Sequence, residues 1–396
     1  MQPEAHPCLK PARLGPLTLR NRVVKAATFE GMTPDALASD RLVAFHRSFA
    51  AGGVGMSTVA YCAVASEGRT FLNQLWVRGD ALPGLRAVTE AVHSEGAAAA
   101  VQLGHAGWFA NPKASGLKTM GPSRKFSPHG MCFPRAMNDT DFARVTSDYA
   151  NAARFAVECG FDAIEVHVGH GYLLSQFLSP YTNRRRDAWG GSIENRSRLP
   201  RQAVRAVREA VGDRVAVYAK LNMHDGFDGG LTLADSIEVA RLFDADGTLD
   251  AIQLTGGFTS RTPMYLFRGE APRREMASVQ ATWYQRLGTR LVAPRLIREY
   301  PFEEAFFLPY ARQFLDAVRT PLMLLGGVNR LATMDAAIDE GFHFVAMARA
   351  LIREPDLVSR YQKGATHEPR CVHCNLCVAE TYRPAGARCV LVPAIS

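Results

Sequence analysis

The chain has 396 residues, 47% of them hydrophobic and 21% charged, a globular composition with ample apolar material for a large core. No apolar run approaches the ~20 residues of a membrane span, and the opening MQPEAHPCLKPARLGPLTL lacks the apolar stretch behind a basic start of a secretory signal, so a cytoplasmic location is expected. The net charge of +8 raises nucleic acid as a partner, but the arginines are scattered without a basic, aromatic-interleaved module; a basic surface that draws phosphate-bearing cofactors accounts for it.

Read from the N-terminus, eight short apolar runs alternate with helical patterns. The strand candidates are RVVKAA (22–27), VGMSTVAYC (54–62), AAAAVQL (97–103), AIEVHV (163–168), VAVYAK (215–220), AIQLTG (251–256), LMLLGG (322–327) and FVAMAR (344–349). Segments such as 141–160 and 193–212 between them carry helical periodicity. Strand–helix repetition predicts a parallel sheet, and eight units close into an α/β fold, a (β/α)8 TIM barrel.

Loop lengths orient that barrel. The helix-to-strand connections are terse: CGF before Asp162, GDR before Val215, GTL before Asp250 and EGF before His343. The strand-to-helix connections are long, at 104–138, 169–193 and 257–306. Elaboration therefore lies at the C-terminal ends of the strands, where barrel enzymes build their sites. The insert over about 257–306 is partly helical and reads as a lid or channel wall, or as a surface for self-association into a homo-oligomer. The barrel is expected over 1–365 and a Cys-rich tail over 366–396.

Alternation along AIEVHV puts Ala163, Glu165 and His167 on one face and the apolar Ile164, Val166 and Val168 on the other. His167 then sits at the mouth of the barrel, and the turn made by Gly169 and Gly171 leaves His170 and Tyr172 near it. Two imidazole N–H groups suit a carbonyl or phenolate oxygen, and a phenol suits proton delivery. The plain alternatives are a satisfied core histidine with a packed tyrosine, or zinc on His-x-x-His, for which no third ligand is close in sequence.

The segment FDAIEVHVGHGYLLSQFLSPYTNRRRDAWGGSIENRSR (161–198) resembles the strongest signature of the Old Yellow Enzyme family of FMN oxidoreductases. LRNRVVKAA, AAGGVG, VQLGHAG and GFHFVAMARALIREPDL support the resemblance. It implies that His167 and His170 bind the oxygen of an activated carbonyl and that Tyr172 protonates the substrate. It implies that Gln102 pairs with the polar edge of FMN, that Ala27 and Ala60 lie beside it, and that Lys220 supplies a cation to its N1/O2 edge. Gly326, Gly327, Met347 and Arg349 fall where the family holds the FMN phosphate, which also suits glycine N–H groups after the last two barrel strands. Two positions depart from the pattern. Phe29 stands where a Thr, Ser or Cys usually tunes the flavin, with Thr28 adjacent. Trp108 replaces an arginine, and both Phe29 and Trp108 are expected at the substrate.

Of eight cysteines, Cys8, Cys62, Cys132 and Cys159 are isolated and expected to be reduced. Cys371, Cys374, Cys377 and Cys389 form C-x2-C-x2-C-x11-C, which suits a [4Fe–4S] cluster or zinc, with free thiols as the third reading. The pattern resembles the trimethylamine dehydrogenase and 2,4-dienoyl-CoA reductase branch, although His373 stands where that branch has glycine; a cluster here would need a separate electron-transfer partner. The expected activity is NAD(P)H-dependent reduction of an activated alkene, a small molecule, by hydride from FMN and a proton from Tyr172. Its rivals are an amine or alcohol dehydrogenase that exports electrons through the cysteine segment, and a non-catalytic barrel.

Overall fold

A computed structural model describes residues 6–280, 283–365 and 367–392, so residues 281–282 of the expected insert and 366 and 393–396 of the expected tail lie outside the described residues. Eight parallel strands close into a barrel: β1 (Val23–Lys25), β2 (Met56–Ala63), β3 (Ala98–Gly104), β4 (Ala163–Val168), β5 (Ala216–Asn222), β6 (Ala251–Thr255), β7 (Leu322–Leu325) and β8 (Phe344–Met347). Each overlaps one of the eight runs expected from sequence. Met347 pairs with Lys25 across β8 and β1, which closes the cylinder.

Both faces of the strands are buried, and away from the mouth most of their residues are apolar. Met56, Ala100, Ala163, Ala216, Tyr218 and Phe344 fill the barrel interior. Val59, Val101, Ile164, Val166, Val217 and Ile252 belong to the larger core beneath the helices. Alanine dominates the inner layer, and Tyr218, Met323 and Phe344 supply the bulk that fills it.

The helices follow from capping and spacing. Asp139–Glu158 opens on a capping box in which Asn138 and Asp141 each accept the other's backbone N–H. Phe142, Val145, Tyr149, Ala152 and Ala156 then recur on one buried face.

The floor of the barrel was not among the sequence expectations. A hairpin, Ala12–Leu14 with Leu17–Leu19, crosses it, and Leu14 and Leu19 join the interior cluster. Gly15 adopts φ 55°, the positive value that a tight two-residue hairpin turn requires. Three-residue strands carry too little periodicity to be read from sequence.

At the opposite end lie the long loops. The segment after β6 contains the helices Arg273–Ser278 and Trp283–Leu296. The tail folds back across the mouth through the helix Leu376–Glu380. The Ala387 N–H donates to Glu30 O at 2.7 Å, and Arg41 donates to Pro384 O at 2.7 Å. Among the described residues no helix is long and apolar enough to cross a membrane.

Truncating the floor should open a void that the rigid cylinder cannot close. Leu14→Ala or Leu19→Ala is expected to cost about 2–5 kcal/mol, read as a lower urea midpoint at unchanged slope.

Candidate active site

The end of β4 brings three groups together. His167 is the last inward residue of the strand and is buried. His170 takes φ 59°, a left-handed conformation that costs a non-glycine residue free energy. Its surroundings hold it there: its N–H donates to Asn222 Oδ1 at 3.0 Å, and its carbonyl accepts from Thr259 N at 3.0 Å and Thr259 Oγ1 at 2.9 Å. Its Nε2 lies 2.9 Å from Thr255 Oγ1. The ring of His167 is 5.0 Å from that of His170 and 4.8 Å from that of Tyr172, centroid to centroid. All three line one cavity of about 260 Å³.

Beneath them is an ion pair. Lys220 on β5 lies 2.9 Å from Glu165 Oε1, and both side chains are almost wholly buried. Gln102 on β3 donates its amide to the same oxygen. Burial, reinforced by the Lys220 charge, pushes His170 down to about 3. Burial, then His170 and Lys220, holds His167 well below the ordinary imidazole range. Burial raises the Tyr172 phenol above its usual value. At neutral pH the cavity therefore presents two uncharged imidazoles and a protonated phenol. Nδ1 of His167 is buried without a hydrogen-bond partner, a donor or acceptor left for a bound group.

The cavity suits a planar flavin. Ala27, Ala60 and Ala348 line it with short side chains, whereas Thr28, Gln102, Lys220 and Arg349 place polar groups around it. Phe29 lines it beside Thr28. Other expected residues lie elsewhere. Trp108 does not reach the cavity: its indole is 1% exposed, donates to Lys125 O at 3.0 Å and packs against Tyr181 and Phe258. Gly326, Gly327 and Met347 are likewise absent from its lining. Both glycines have positive φ and abut Phe307 and Phe306, which already demands glycine. Met347 is core. Arg349 does line the cavity, but its guanidinium turns to Arg268 O, Phe267 O and Asn375 Oδ1, all uncharged acceptors.

Several lining residues were not legible in sequence. Strict alternation sends Tyr61 away from Ala60, yet both line the cavity because the β2–β3 register shifts between Val59 and Cys62. Such a bulge re-aims one side chain. His129, from the loop after β3, stacks on Phe109 at 4.3 Å. Tyr382, from the tail, packs on Phe71 at 5.3 Å. Met264, Phe267, Met276 and Ile297 of the insert form another wall.

A second, smaller hollow is lined by Cys371, Cys374, Cys377 and Cys389 together with Arg349, and Cys377 also lines the main cavity. Burial raises the Cys377 thiol to about 12. His373 is turned away, stacked on Phe302 at 3.3 Å. Among the described residues no three Cys, His, Asp or Glu side chains converge tightly enough to share one metal ion.

The model of the NADH:flavin oxidoreductase / NADH oxidase family matches residues 8–254. The chain belongs to this family. It is an FMN-dependent oxidoreductase, and its β4 site lies within the matched region. The flavin oxidoreductase is 51% identical to a 4,4'-dithiodibutanoate disulfide reductase of Rhodococcus erythropolis, over 98% of this chain and 95% of that protein. It is 29% identical to a multifunctional alkene reductase/demethylase OYE of Caballeronia cordobensis, covering 98% of this chain but 53% of the other. Morphinone reductase in complex with tetrahydroNAD superposes with a TM-score of 0.70 at 25% identity, over 93% of each chain.

Glu165 holds the site's cation in place. Glu165→Ala should cost about 3–5 kcal/mol in urea unfolding, because it strands Lys220. Adding Lys220→Met should recover much of that loss, a non-additivity that an independent packing role for Glu165 would not produce.

Proposed function

We propose that the chain is an NAD(P)H-dependent FMN reductase whose acceptor is a small organic disulfide, with alkenes conjugated to a carbonyl or nitro group as alternative acceptors. One observation carries the reading: two uncharged imidazoles and a protonated phenol meet in a largely apolar cavity backed by Lys220. Bound FMN would supply the hydride, held by Gln102, Lys220, Thr28, Ala27 and Ala60.

The chain's own groups supply the rest. Neutral His167 and His170 each have one N–H to donate. On an alkene they polarise the carbonyl or nitro oxygen; on a carboxylate-bearing disulfide they orient an arm. Tyr172 delivers the proton. In disulfide cleavage hydride bonds to one sulfur, the S–S electron pair departs on the other, and Tyr172 protonates that sulfur, so one hydride and one proton yield two thiols.

Two further observations favour the disulfide. The Rhodococcus relative, similar along nearly its whole length, is named for such a substrate. An outer groove of about 770 Å³ shares Phe29, Phe71, Thr381 and Tyr382 with the inner cavity. It carries Arg41 and Arg383, with Asp40 beside them, and gives room for an anionic arm.

Tyr172→Phe separates the two acceptor classes. Loss of a positioned acid costs about 10²–10⁴-fold and should fall in full on an enone, whose carbon must be protonated. A thiolate, with a pKa near ~8.5, leaves more readily, so disulfide reduction should slow less. Flavin reduction by NAD(P)H should be nearly unchanged in stopped-flow. A flavin that NAD(P)H reduces but that neither acceptor class reoxidises would overturn the proposal.

The tail suggests an electron route, because Cys377 borders both the flavin cavity and the four-cysteine hollow. Four thiolates lining one hollow suit a [4Fe–4S] cluster, and the Arg349 cation that lines the same hollow would offset its negative charge. Such a cluster would supply single-electron transfer. Anaerobically purified protein should contain about four irons and four sulfides per chain with an EPR signal on reduction; iron-free protein of full reductase activity would leave the cysteines without that role.

A further inference from the structure

A buried polar cluster lies behind the cavity, between β1, β2 and the helix Asp40–Ala51, in an otherwise apolar layer. Lys25 points outward from β1 and its side chain is wholly buried. Its ammonium nitrogen lies 5.3 Å and 5.4 Å from the ring centres of Phe45 and Phe49 and 3.6 Å from Glu30 Oε1. That oxygen also accepts the Ala60 N–H at 3.1 Å and lies 3.4 Å from His46 Nε2. His46 Nδ1 in turn lies 2.9 Å from Ser57 Oγ. The hydrogen bond of Lys25 goes to Thr28 Oγ1, at 2.9 Å, and Thr28 lines the cavity.

We propose that Lys25 is a positioning residue that makes the Thr28 hydroxyl a donor into the flavin cavity. An ammonium has no lone pair and can only donate. By occupying a lone pair of Thr28 Oγ1 it leaves that oxygen's own hydrogen to point elsewhere, and the open direction is the cavity. Polarisation by the cation strengthens the outgoing bond. A bound flavin gains electron density on reduction, so a donor at this wall stabilises its reduced form more than its oxidised form. The inference rests on FMN occupying this cavity.

The device is sensitive to pH. Burial pulls Lys25 down to about 8 against the support of Glu30, with smaller effects from Lys220 and Glu165. Buried His46 is held below the ordinary imidazole range and stays neutral beside it. Below about pH 8 the charged ammonium donates to Thr28. Above it the neutral amine has a lone pair, can accept the Thr28 hydrogen, and turns it out of the cavity.

The readout is the FMN midpoint potential. Lys25→Met alone would leave Glu30 without its cation, so it is combined with Glu30→Gln. That variant should bind reduced relative to oxidised FMN about tenfold less favourably, a drop of about 30 mV for a two-electron couple. In a Thr28→Val background the same change should have little effect, whereas a purely through-space charge effect would persist. The gap between wild type and Thr28→Val should also narrow as pH rises through about 8, a comparison that does not depend on folding of the Lys25 variant. Wild type that binds FMN with a potential indifferent to Lys25 in both backgrounds, or a gap with Thr28→Val constant across pH 6–10, would overturn the inference alone. Wild type that binds no FMN would overturn the functional reading beneath it.

Discussion

The contact between Lys220 and Glu165 sets the terms for everything at the mouth of the barrel. A lysine and a glutamate on adjacent strands meet at 2.9 Å where neither sees water. Burying a lone ion costs more than burying a matched pair, so each side chain compensates the desolvation of the other. Together they bring a cation to the wall of an apolar cavity. That cation helps keep His170 neutral and, through Glu165, anchors Gln102. Gln102 on β3 and His170 just after β4 thus both depend on one pair.

The same logic recurs one layer out. Lys25 and Glu30 repeat the buried cation and carboxylate on the far side of β1, and their reach into the cavity runs through Thr28. Charges placed behind the wall act on the cavity by orienting the neutral groups that face it. Around a planar cofactor the lining then combines short alanines with polar groups held in place from behind, as a preorganised site needs.

The tail joins the site from another direction. Its helix and Tyr382 complete the rim, and Cys377 belongs at once to the rim and to the thiol-lined hollow behind it. Arg349 lines both hollows and donates to carbonyl-type acceptors that carry no charge, so its charge is available to an anionic occupant of either. Whatever the thiols hold is therefore adjacent to the flavin cavity.

The barrel itself was legible because each strand is buried on both faces and each helix carries one apolar stripe, patterns written in consecutive residues. So was the core of the site: alternation in AIEVHV put Glu165 and His167 inward, and two glycines marked the turn that carries His170 and Tyr172. What sequence order cannot encode is contact between distant segments. The bulge that turns Tyr61 inward, the packing that buries Trp108, the rotation of Arg349 toward the tail and the approach of Tyr382 each result from close packing of parts far apart in the chain. The sequence alone determined the cylinder and which end is chemical; only the tertiary structure decided which side chains reach the cavity, because that depends on volumes and hydrogen bonds settled when all the loops pack at once.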